Sequence, residues 1–109
     1  MLNWKKIKIV YPLSYDRFVG VMFPYMGVLG LSTLHLFEVK KLYYFFDKEK
    51  IYLTVERFGT NQWLYIITLG DGSVVCPKQS LRNSREEIEL DGFMECFRIL
   101  NKQNEINLL

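Results

Sequence analysis

Few residues in this chain could carry covalent chemistry, and those few are scattered. The base and nucleophile candidates are one histidine, His35, and two cysteines, Cys76 and Cys96. Nucleophilic catalysis needs a histidine within hydrogen-bond reach of a serine or cysteine. His35 instead stands between Leu34 and Leu36 on an apolar run, the setting of a core histidine. Zinc takes four cysteine or histidine ligands in closely spaced pairs, and no Cys-x-x-Cys occurs, so neither a metal nor a cofactor is expected. Glu86, Glu87, Glu89 and Asp91 could suggest a pair of glycosidase carboxylates, but they lie where the start of a helix favours negative charge. Gly70-Asp71-Gly72 lacks the lysine and the following helix of a phosphate loop and reads as a hairpin turn. A chain without catalytic residues is the expectation.

Aromatic side chains are the abundant resource, at 16% of 109 residues. Tyr43, Phe45, Tyr52 and Trp63, with Lys41, Lys48 and Lys50 nearby, could form a platform on which the bases of a single strand stack. The formal net charge is only +2 and the basic residues are dispersed, which is not the footprint of a dedicated nucleic-acid binder. The same rings suit a protein interface, since Tyr and Trp offer large contact area at small entropic cost. The leading expectation is therefore a non-enzymatic domain that binds another protein or a second copy of itself, with Tyr43, Phe45, Tyr52 and Trp63 as contact residues. A single-stranded nucleic-acid-binding module is one alternative.

Membrane association is the other. Residues 18–37 contain no Lys, Arg, Asp or Glu, about the length of one membrane span, with Arg17 before the run and Glu38, Lys40 and Lys41 after it. Pro24, Gly20, Gly27, Gly30, Ser32 and Thr33 break the run, so burial in a core is preferred: a short helix, a loop and a second short element over 31–37. Residues 9–13 are too short for the apolar centre of a secretory signal, and the two cysteines are expected as reduced thiols in the cytoplasm.

The elements that would position these residues centre on a meander. Residues 41–47, 51–58, 62–69 and 73–76 read as strands, separated by short gaps with turn chemistry, so neighbours should pair antiparallel. Residues 5–11 alternate, with Ile7, Ile9 and Tyr11 on one side, and predict a further strand ended by Pro12. Residues 14–23 predict a helix capped by Ser14, with Phe18, Val21 and Met22 on one face and Pro24 closing it. Ser84-Arg85-Glu86-Glu87 is a capping-box sequence, and Phe93, Cys96, Phe97 and Leu100 repeat at helical steps, predicting an amphipathic helix from 84 to about 102 that frays into a polar tail over 101–109. Gly92 in that helix either lets it lie close on the sheet or marks a later start.

The fold class expected is α+β, one domain over 1–109. It comprises an antiparallel meander of four to five strands packed against one C-terminal helix, with a short apolar helical or loop segment after the first strand. Residues 62–69 read as apolar on both faces, because Trp63, Tyr65, Ile67 and Leu69 oppose Leu64, Ile66 and Thr68. One sheet face falls to the C-terminal helix, and the other needs residues 18–37 or another chain.

Overall fold

The computed structural model describes residues 2–26, 38–75 and 81–108. It begins with a helix, α1 (Trp4–Val10), where alternation predicts a strand. Asn3 commits the chain to this, because its side chain accepts from the Lys6 amide at 3.1 Å and satisfies an orphan donor of the first turn. Trp4, Ile7 and Tyr11 then recur at helical steps toward the core, while Ile9, on the supposed buried side of the strand, is 79% exposed.

Pro12 opens α2 (Pro12–Met26), where its fixed φ and missing amide hydrogen fit the first helical position. The helix starts earlier and ends later than residues 14–23, and Pro24 lies within its last turn. Ser14 is not its cap. It sits inside the first turn, fully buried, and its hydroxyl donates to the carbonyl of Phe97. The capping role falls to a residue from the other end of the sequence: Asn101 Oδ1 accepts from the amides of Leu13 at 2.8 Å and Ser14 at 3.2 Å. Phe18 and Met22, four residues apart, are fully buried.

Residues 41–47, expected as a strand, lie in α3 (Glu38–Lys48). Leu42, Phe45 and Phe46 are buried, at steps of three and one that place all three on one helical face, whereas a strand would have turned Phe45 and Phe46 to opposite sides. Aromatic β-propensity yielded to this packing.

Among the described residues the sheet has three antiparallel strands in the order β1 (Ile51–Phe58), β2 (Gln62–Leu69) and β3 (Val74–Val75), against the four to five expected. The β1–β2 register runs unbroken from Ile51 opposite Leu69 to Phe58 opposite Gln62. Gly59 at φ 70° and Gly72 at φ 88° supply the left-handed geometry of the two hairpin turns. In the second turn Asp71 accepts from the amide and hydroxyl of Ser73, which holds its carboxyl below the usual range. Past β3, Arg82 returns to pair with Trp63 through two backbone hydrogen bonds, Trp63 N to Arg82 O at 2.8 Å and Arg82 N to Trp63 O at 3.1 Å.

A single helix, α4 (Arg85–Asn107), closes the chain, with Ser84 accepting from the Glu87 amide at its start. It continues through residues 101–107, expected as a frayed tail, because Asn101 is buried against α2. Gly92 is the point of closest approach: a Cβ there would stand 2.6 Å from Leu53 Cδ1 and 3.3 Å from Tyr65 Cγ, so only glycine lets α4 lie this close on the sheet. The core between helices and sheet is built on rings. Phe97 lies 4.9 Å from Phe46, 5.8 Å from Trp4 and 5.9 Å from Phe18, centroid to centroid, mostly edge to face. The architecture is thus α+β, with the described helices gathered on one side of the sheet. Among the described residues, no helix is long and apolar enough to cross a membrane.

Candidate functional site

Side-chain alternation divides the sheet into two surfaces. Odd-numbered residues of β1 and β2 pair with one another across the register and point toward the helices: Ile51, Leu53, Tyr65 and Ile67 are buried there, with Val55, Trp63 and Leu69 packed against the core. Even-numbered residues point away. Tyr52 stands opposite Thr68, which Val74 flanks from β3, Thr54 opposite Ile66, Glu56 opposite Leu64, and Phe58 opposite Gln62. On this outer surface Tyr52 is 41%, Phe58 53% and Val74 60% exposed, with Leu64 and Ile66 half-buried between them. None of these five side chains belongs to the core cluster or to the apolar residues packed against it.

The four aromatic residues expected as contacts are not brought together. Phe45 is enclosed, edge to face with Phe18 and Phe46. Tyr43 is half-buried between α3 and α4, its hydroxyl donating to Glu89 at 2.7 Å and its ring 4.9 Å from Phe93. Burial, and then the hydrogen bond to Glu89, hold its phenol above the ordinary value. Trp63 is half-buried on the helix side, with the Arg85 guanidinium 5.7 Å from its ring. Of the four, only Tyr52 lies on the outer surface. Among the nearby lysines, Lys48 stands 4.6 Å from the Tyr44 ring, and Lys50 is exposed just before β1 with φ 60°.

The other chemical candidates are absorbed into structure where they are described. Glu86 and Glu87 lie in the first turn of α4, as a helix dipole favours. Glu89 takes the Tyr43 hydroxyl, and Asp91 receives Arg82 at 2.7 Å, fastening the returning segment to α4. Cys96 is a buried free thiol whose pKa burial pushes up, so it stays protonated rather than becoming a thiolate nucleophile. His35 and Cys76 fall outside the described residues, as do residues 27–37 of the apolar run. Earlier in the run, Phe18 and Met22 join the core on the helix side, with Val19 and Val21 packed against it. Among the described residues, no group of three or more His, Cys, Asp and Glu side chains could hold a metal.

Phe58, Leu64, Ile66 and Val74 complete the outer surface around Tyr52 and were not among the expected contact residues. Their signal was present in the period of two: each shares parity with Tyr52 once the hairpin register is known. Comparison of the chain with protein-family models, with curated proteins and with solved structures gives no match.

Proposed function

We propose that this chain is a small non-enzymatic domain that works by protein–protein interaction, engaging another protein or a second copy of itself through the outer surface of its sheet. One observation carries the reading: Tyr52, Phe58, Leu64, Ile66 and Val74 share a face on which no described helix packs. Full burial of a large apolar side chain contributes about 1.5–3 kcal/mol, so covering these residues is a substantial driving force for association. Tyr and Phe among aliphatic residues, rimmed by Glu56 and Lys50, match the composition of interface centres and rims.

The test compares the chain with its Tyr52→Ser/Val74→Ser variant, by light scattering behind a sizing column and by cross-linking to proteins captured on the immobilised chain. Association should be lost in the variant while its circular dichroism stays that of the parent. A parent that is monomeric and captures the same proteins as the variant would refute the proposal. Single-stranded nucleic acid as the partner would show instead as retardation of an oligonucleotide that weakens steeply with salt, and a membrane as sedimentation with vesicles.

A further inference from the structure

We infer that β1 is a self-pairing edge, through which two copies of this chain join antiparallel about a two-fold axis at Leu53. The inference rests on the protein-binding reading and adds a second copy at the β1 edge, a contact beside the outer surface that leaves Tyr52, Phe58, Leu64, Ile66 and Val74 open to a further partner. Among the described strands, β1 pairs only with β2, along one of its two edges. An open edge is a template for another strand, and natural sheets usually blunt it with proline, a bulge or a charge. Over its first five residues, Ile-Tyr-Leu-Thr-Val, β1 has none of these, and its register with β2 is continuous.

The segment is also complementary to itself. Residues 50–56 read Lys-Ile-Tyr-Leu-Thr-Val-Glu. Rotation about Leu53 sets Leu53 against its own copy, Tyr52 against Thr54, and Ile51 against Val55. Lys50, just before the strand, then flanks Glu56 of the second copy, and the symmetry makes this pair twice. Neither Lys50 nor Glu56 has an ion-pair partner among the described residues, and both are exposed, whereas the adjoining Glu49 is already bound by Arg17 at 2.7 Å.

Competing registers are poorer. A slip that exchanged odd for even residues would place the covered face of one copy on the open side of the other. Rotation about Thr54 keeps the faces but opposes Ile51 to Arg57 and Tyr52 to Glu56. Rotation about Tyr52 carries the ladder into α3, which cannot pair as a strand. Only the Leu53 register opposes like with like in the centre and opposite charges at the ends. It would join the two outer surfaces into one six-stranded sheet with helices on a single side.

Edge pairing over so few residues buries less than a standard interface, so a dissociation constant of roughly micromolar order is expected, and ~500 µM chain suffices to populate the dimer. Sedimentation equilibrium on the parent, Lys50→Glu, Glu56→Lys and the doubly exchanged chain tests the register. Each single change places two like-charged pairs in the homodimer and should weaken it roughly tenfold; the double exchange, or a mixture of the two single variants, should restore it. Circular dichroism of each variant should match the parent. A parent that stays monomeric at that concentration overturns self-pairing while leaving a different protein as the partner. A dimer indifferent to these charges overturns the β1 register while leaving self-association intact.

Discussion

Tyr52 and Leu53 are neighbours in one strand, yet they belong to different environments. Leu53 meets Gly92 of α4 under a cluster of phenylalanine rings; Tyr52 faces outward with Ile66 and Val74 and meets no described helix. The helix-facing side is the more apolar, with Trp63, Tyr65, Ile67 and Leu69 along β2, whereas the outer side of β2 carries Leu64 and Ile66 between Gln62 and Thr68. What separates the two faces is therefore both this composition and the reach of the described helices, which pack on one side of the sheet. They reached one face because three devices bind them there: the ring cluster, the close approach at Gly92, and the Asn101 contact with α2.

Removing parts of the covered face should cost stability in proportion to how many neighbours each part serves. Phe97→Ala empties the centre of the ring cluster, and urea titration should show a loss of about 3–5 kcal/mol. Asn101→Ala leaves the amides of Leu13 and Ser14 without their acceptor and should cost about 1–3 kcal/mol, with accelerated hydrogen exchange confined first to the start of α2. Tyr43→Phe removes a single hydrogen bond between α3 and α4, for about 1 kcal/mol at neutral pH.

That last variant should also change the pH dependence. The Tyr43 phenol titrates higher in the folded state than its ordinary value of 10.0, so its contribution is intact below that pH and fades as pH rises toward the folded value. The variant should show a shallower alkaline decline than the parent, with a remainder from Cys96, whose thiol is displaced in the same direction by burial. On the opposite face, Tyr52→Ser should alter fold stability by no more than about 0.5 kcal/mol while abolishing association. A large stability loss there would erase the distinction between the two faces.

Legibility in the sequence followed the same physics. The β1–β2 hairpin was readable from alternation and turn residues, and α4 from Ser84 and the Phe93, Cys96, Phe97 and Leu100 spacing, because local signals and tertiary packing agree in both. They conflict at α1 and α3. Ile7, Ile9 and Tyr11 fit a strand as well as Trp4, Ile7 and Tyr11 fit a helix, and the run from Leu42 to Phe46 is apolar at every step, so periodicity alone could not choose. Placing α3 in the sheet then put Tyr43 and Phe45 on the same surface as Tyr52. The outer face itself was partly visible, since Leu64 and Ile66 were seen to oppose Trp63 and Tyr65. The role of Asn101 was not, because a helix cap contributed from 88 residues away leaves no local trace.

That distance bears on how the molecule comes into being. During synthesis α1 and α2 emerge before α4, so the amides of Leu13 and Ser14 lack their Asn101 acceptor until residue 101 has been made, and the Ser14 hydroxyl lacks its own until Phe97. Contacts of such long range carry a large loop-closure entropy and form late. The start of α2 must therefore wait for α4: Phe18 can meet the Phe45 ring once α3 is made, but the docking of α2 on α4 comes last and is the step most exposed to interception by other unfinished chains.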